Sequence, residues 1–171
     1  MYNIAVFVSG RGSNLSSLIK AQHTFNASIK LVFSNKSNVQ AIDIASKNNI
    51  PSEILTKDDI KDKILFDNEI LNILSKYKID IILLAGYMRI LSSSIITQYQ
   101  NKILNIHPSL LPSFPGLDAQ YQALKYGVKI TGATVHFVDE GLDSGPIILQ
   151  DTVPIYDNDD EDSLSLRILE K

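Results

Sequence analysis

Apolar residues fall along this chain in short dense runs, each closed by glycine, proline, asparagine or serine. Tyr2 to Val8 is almost continuously apolar, as in a parallel strand buried on both faces. It ends in Ser9-Gly10-Arg11-Gly12-Ser13-Asn14, after which Leu15 to Ala21 reads as a helix. Ile29 to Ser34 gives a second strand, residues Val39 to Asn48 a helix, and Pro51 opens a brief strand through Leu55. Lys57 to Tyr77 is the longest helical pattern, with Ile60, Ile64, Ile70, Leu71 and Leu74 as its apolar face. Asp80 to Leu84 is another buried strand and ends at Ala85-Gly86-Tyr87-Met88-Arg89. A short helix near Ser93 to Gln98 precedes a strand at Ile103 to Ile106.

Strand then helix, repeated, predicts an α/β fold: a Rossmann-like open, mostly parallel sheet with helices on both faces. The texture changes after residue 127. Lys129 to Val138 and Pro146 to Pro154 are strands close in sequence, joined by the acidic, glycine-containing Asp139 to Gly145, and this spacing predicts an antiparallel hairpin at the sheet edge. The acidic run Asp157 to Asp162 is expected to cap a last helix from Asp162 onward. There is no internal repeat and no long linker, so residues 1–171 are expected to form a single domain. The last helix is cut off at Lys171, which reads as a missing C-terminal helical end.

Composition narrows the function classes. The chain is 44% hydrophobic and 20% charged, values of an ordinary globular domain. A net charge of −3 gives no electrostatic reason to expect nucleic acid or an anionic membrane as partner. The absence of cysteine excludes disulfides and thiolate metal sites, and His23, His107 and His136 lack ligand spacing, so no metal is expected. No leader pattern or segment of membrane-spanning length is visible, and a cytoplasmic location is expected.

Four elements could carry chemistry. In Asn105-Ile106-His107-Pro108-Ser109-Leu110-Leu111-Pro112, strand alternation sends Asn105 and His107 to one face, and Pro108 forces the chain to turn. An amide donor beside a titratable ring suits carbonyl chemistry, although both groups would equally serve to satisfy turn backbone. The glycine-rich turn Ser9 to Asn14 allows backbone N–H groups to approach an anion at a helix N-terminus. It lacks the ending of a Walker loop and only partly matches a dinucleotide fingerprint, so it fits a mononucleotide-type phosphate; the alternative is a tight turn with Ser13 or Asn14 as helix cap. The loop Asp139 to Pro146 offers carboxylates that could pair with an imidazole and favour its charged form, with Asp143 the more inward candidate; a solvated acidic loop is the alternative. The segment 86–91 puts Tyr87, Met88, Arg89, Ile90 and Leu91 at a strand end, where open α/β sheets bind ligands, and suits a flat apolar ligand with an acidic tail. His136 lies inside a strand and reads as structural; His23 reads as exposed.

Taken together, Val8 to Leu15, Leu84 to Leu91, Asn105 to Pro112 with Pro115-Gly116, and Thr131 to Gln150 resemble the folate-dependent glycinamide ribonucleotide formyltransferases of purine synthesis. The resemblance spans essentially the whole chain. It implies the formyltransferase fold and attack by the amine of a glycine amide ribonucleotide on the formyl carbon of 10-formyltetrahydrofolate, a cosubstrate, with no metal. Carried over by motif, Asn105, His107 and Asp143 are the catalytic trio, and Gly12, Ser13 and Asn14 hold the acceptor phosphate. Lys63, Leu84, Met88, Arg89, Ile90, Leu91, Ile96, Ile103 and Asn105, with Asp139, Glu140 and Gly141, contact the folate. Small-molecule substrates are the expected partners, with neither nucleic acid nor membrane, for a monomer or homodimer. Asp118 departs from the family pattern, where histidine is common, and a glutamate that binds the acceptor ribose would lie beyond Lys171. Methionyl-tRNA formyltransferase is a runner-up that needs a basic second domain, and formyltetrahydrofolate hydrolase one that carries an extra regulatory domain. A non-catalytic nucleotide-binding module would explain the glycine turn but not the trio.

Overall fold

The computed structural model describes residues 1–171, which separate into two compact units, Met1–Ile103 and Leu104–Lys171. In the first, strands β1 (Tyr2–Val8), β2 (Ala27–Ser34), β3 (Ser52–Ile54) and β4 (Ile81–Leu84) are parallel and lie in the order β3-β2-β1-β4. Helices α1 (Ser13–Ala21), α2 (Gln40–Lys47), α3 (Lys63–Lys76) and α4 (Ser93–Gln98) connect and follow them. β1 lies inside a parallel sheet covered on both faces, which calls for apolar residues on each, and Ala5 to Val8 are completely buried. Ile4, Val6 and Val8 pack with Val32, Leu15 of α1, and Ala41 and Ala45 of α2. Phe7 meets Phe33 and Tyr87 on the other face, with the Phe7 and Phe33 ring centroids 4.6 Å apart. The chain entering the next strand runs beside β4, with Ile82 N–H donating to the Lys102 carbonyl.

The long helical pattern from Lys57 is shorter than its periodicity predicts. Thr56 N–H and Oγ1 both donate to the Asp59 carboxylate, at 2.7 and 2.8 Å, closing a separate turn that takes Ile60 out of the helix. Asp62 then caps α3 by accepting from Leu65 N–H. The buried stripe is Phe66, Ile70, Ile73 and Leu74. Ile64, expected on this face, is exposed because it lies about 200° around the helix from Phe66.

The second unit is antiparallel: β5 (Ile103–His107), whose first residue closes the first unit, then β6 (Ile130–Phe137) and β7 (Ile147–Pro154), in the order β5-β6-β7. The expected hairpin is β6–β7, and the antiparallel pairing extends to β5 as well. Helix α5 (Ala119–Tyr126) was not legible as an apolar stripe because the side chains it buries are the small Ala119 and Ala123. Helix α6 (Glu161–Leu169) packs Leu164 and Ile168 on Ala133 and Val153. Its acidic lead works as a capping box one residue earlier than expected: Asp160 accepts from Ser163 N–H, and Ser163 Oγ accepts from Asp160 N–H. Asp159 forms a two-pronged pair with Arg167 (2.6 and 2.7 Å) and accepts from Tyr156 N–H, which together hold its carboxyl well below the usual range.

Gly12 sits at φ +79°, and a Cβ there would lie 2.9 Å from Ala41 Cα, so Gly12→Ala should destabilise the chain by roughly 1–3 kcal/mol in a denaturant titration. The Asp159 carboxyl titrates lower in the folded than in the unfolded chain, so its stabilisation is complete above the unfolded value of about 3.9 and fades as pH falls below it. Asp159→Asn should therefore lower Tm at pH 7 by roughly 2–4 °C, with the gap to the parent chain closing in strong acid.

Candidate active site

The antiparallel register of β5 and β6 sets Asn105 opposite His136 and His107 opposite Thr134. His107 is buried, and both of its ring nitrogens are engaged. Nε2 donates to the Phe114 carbonyl at 2.8 Å, and Nδ1 lies 3.3 Å from Asp143 Oδ2. A carbonyl and a carboxylate only accept, so both contacts are satisfied together when each ring nitrogen carries a proton. Asp143 Oδ2 also accepts from Gly116 N–H at 2.8 Å. Asp143 Oδ1 is 3.7 Å from His136 Nε2, beyond hydrogen-bond length. Asn105 Nδ2 lies 3.1 Å from His136 Nε2, and His136 Nδ1 is 2.9 Å from the Phe137 carbonyl. Asn105, His107, Asp143 and His136 thus form one connected cluster.

The loop that supplies Asp143 is shaped at its base by Gly145, where a Cβ would fall 1.9 Å from the Phe137 carbonyl. Asp143 itself has φ +50°, a left-handed conformation that costs on the order of 1–2 kcal/mol for a residue with a side chain. Its bonds to Gly116 and His107 hold it there. The neighbouring Asp139 instead accepts from Gly141 N–H and Ser144 Oγ inside its own loop, so Asp143 is the carboxylate that turns to the imidazole. Glu140 and Gly141 are exposed.

The other side of the cluster is carried by residues 108–118, through the cis Leu111–Pro112 peptide. Thr134, fully buried, ties this segment down: its hydroxyl donates to the Ser109 carbonyl at 2.6 Å and accepts from Leu111 N–H and Gln150 Nε2. One donor and two acceptor positions are thereby all used. Ser109 Oγ donates to the Ser113 carbonyl, next to Phe114. Asp118 is exposed, at φ +55°, and caps nothing with its side chain.

In the first unit, the glycine turn leads from β1 into α1 with Gly12 in the left-handed region and no side chain capping the helix. Ser13 is exposed and is the first helical residue, and Asn14 is half-buried, so neither acts as the cap considered from sequence. Ser9 Oγ donates to Asn35 Oδ1 at 2.6 Å and accepts from Met88 N–H at 2.8 Å, tying this turn to the segment 86–91. The Arg89 guanidinium stacks 3.7 Å above the Phe66 ring centroid, and its Nη1 is buried without a partner, as is the Tyr87 hydroxyl. Burial pushes the Tyr87 hydroxyl far above its ordinary value. Met88 and Ile90 are exposed, whereas Leu84, Leu91, Ile96 and Ile103 are buried in the packing. Lys63 is exposed at the start of α3.

His136 is the member of the cluster that sequence reasoning set aside. The signal lay in strand pairing: once β5 and β6 are aligned antiparallel, His136 faces Asn105 directly. No group of three or more His, Asp or Glu side chains is arranged to hold a metal ion, and no helix is long and apolar enough to cross a membrane.

The formyl transferase family matches residues 2–171. The chain is 46% identical over 169 residues to the trifunctional purine biosynthetic protein adenosine-3 of Drosophila melanogaster, covering 96% of this chain and only 12% of that protein. It is 40% identical over 170 residues to phosphoribosylglycinamide formyltransferase of Bacillus subtilis, covering 98% of this chain and 87% of the relative. The crystal structure of glycinamide ribonucleotide transformylase 1 from Symbiobacterium toebii superposes with a TM-score of 0.96 at 39% identity, covering 99% of this chain and 81% of that one. Its mixed fold, parallel in the first unit and antiparallel in the second, is the fold of that enzyme. The chain belongs to the formyl transferase family.

Proposed function

We propose that this chain transfers the formyl group of 10-formyltetrahydrofolate to the glycine amine of glycinamide ribonucleotide in purine synthesis. The observation that carries the reading is the single cluster in which an amide, an imidazole and a carboxylate are all oriented by bonds to fixed partners. Such preorganised dipoles are what a developing oxyanion requires.

In this reading the acceptor nitrogen forms a bond to the formyl carbon, and the carbonyl electron pair moves to oxygen. Asn105 Nδ2 has two hydrogens, one directed to His136, so the other stabilises the oxyanion. The proton of the attacking amine passes to Asp143 Oδ1, directly or through a water, since Oδ2 is already held by Gly116 and His107. His107 contributes mainly by orienting Asp143; for it to donate to the oxyanion, the acceptor carbonyl of Phe114 must give up Nε2. The oxyanion's electron pair then re-forms the carbonyl as the C–N10 bond to the folate breaks, and N10 takes up the proton that Asp143 received, directly or through a water. No covalent enzyme intermediate is needed, because the substrate amine is the nucleophile.

Gly12, Ser13 and Asn14 are assigned to the acceptor phosphate on the strength of an uncapped helix start behind a left-handed glycine. Met88 and Ile90 offer exposed apolar surface for the pterin, beside the packed Leu84, Leu91, Ile96 and Ile103. The unpartnered Arg89 Nη1 suits a carboxylate of the folate tail, with Lys63 as a second cation. Asp139, Glu140 and Gly141 are assigned to the folate as the loop that also carries Asp143.

Offered the ribonucleotide amine, charged initiator tRNA or water with the same formyl donor, the chain should turn over only the first at a substantial rate; preference for tRNA or water would replace the assigned acceptor. Asn105→Ala should lower kcat by about 10²–10³-fold while folate binding, followed by calorimetry, stays close to that of the parent.

A further inference from the structure

We infer that His136 is a positioning residue for the reaction proposed above: its ring, locked in one tautomer, fixes which way the Asn105 amide faces. The inference rests on the role assigned to Asn105. His136 is 2% exposed, so water does not choose its protonation pattern freely. Its Nδ1 lies 2.9 Å from the Phe137 carbonyl. A carbonyl oxygen can only accept, so Nδ1 carries the proton, and in the neutral ring Nε2 is left with a lone pair.

Two groups stand near that lone pair. Asp143 Oδ1, at 3.7 Å, is another acceptor and offers nothing to it. Asn105 Nδ2, at 3.1 Å, is a donor. The Asn105 amide therefore has one orientation that satisfies both side chains; rotated by half a turn, its oxygen would face a nitrogen lone pair in a part-buried position. With one Nδ2 hydrogen given to His136, the second keeps a fixed direction, and the Asn105 oxygen is turned away from His136. The same arrangement leaves Asp143 Oδ1 without a hydrogen bond from His136, free to take a proton. A residue present only to fill space would need no such sequence of donor, acceptor and donor. The register makes the contact obligatory, since Asn105 and His136 are direct cross-strand partners.

Long-range proton–nitrogen NMR on the unaltered, histidine-labelled chain should show His136 with a protonated Nδ1 and a bare Nε2. A protonated Nε2, in either the other tautomer or the cation, would overturn the inference without reference to turnover or to any variant. In kinetics, His136→Asn keeps a donor near Phe137 and removes the acceptor at the Nε2 position. It should lower kcat about 10- to 100-fold with KM for both cosubstrates nearly unchanged, and His136→Gln, whose amide oxygen reaches that position, should restore much of the loss. In an Asn105→Ala background His136→Asn should cost nothing further. An equal loss in both backgrounds would refute the coupling while Asn105 keeps its role. Near-normal turnover of Asn105→Ala alone would instead overturn that role, and the purpose of His136 with it.

Discussion

The register between β5 and β6 is the constraint on which the cluster of Asn105, His107, His136 and Asp143 depends. It pairs Asn105 with His136 and His107 with Thr134, and strand alternation puts these four side chains on one face. The opposite face holds the register in place. Ile106 of β5 and Ala133 of β6 pack there with Val153 of β7 and Leu164 and Ile168 of α6. A slip of one residue would turn Ile106 toward the polar cluster and Asn105 into this small core. The helix capped by Asp160 and braced by the Asp159–Arg167 pair therefore helps hold this register through its packing on Ala133 and Val153.

Several polar groups of this unit are linked by hydrogen bonds to fixed partners, while the buried Thr131 Oγ1 has none. Thr134 spends its one proton and both lone pairs on Ser109, Leu111 and Gln150, which anchors the segment ending at Phe114. The Phe114 carbonyl then fixes one side of His107, and Asp143 fixes the other. Fully satisfied networks of this kind rigidify a site, whereas a partly satisfied one would leave the ring free to rotate. Asp143 reaches its place only by adopting a left-handed backbone, a local cost offset by its two polar contacts.

The first unit solves a different problem with similar economy. A central strand buried on both faces ends at a turn where Gly12 fits against Ala41 with no room for a side chain. Ser9 links that turn to Asn35 and to the backbone of Met88, so the glycine turn and the segment 86–91 share one hydroxyl. Arg89 is steadied by the Phe66 ring while its buried Nη1 stays without a partner.

Much of this was legible from residue order. The continuous apolar run Tyr2–Val8 specified a doubly covered strand, the alternating elements specified a parallel α/β arrangement, and the spacing of Asn105 and His107 put both on one strand face. Local competition hid other features: Thr56 and Asp59 close a turn that cuts short the helical periodicity from Lys57, and α5 buries only alanines. Sequence by itself determined which chemical groups this chain possesses and the period on which they repeat, because those follow from covalent order and backbone geometry. Tertiary structure alone decided that His136 meets Asn105, and that Asp143, the carboxylate preferred from sequence, reaches His107 from a left-handed backbone held by Gly116 N–H. Cross-strand register and a loop's return path depend on contacts between residues 27 to 36 positions apart, and no local pattern encodes them.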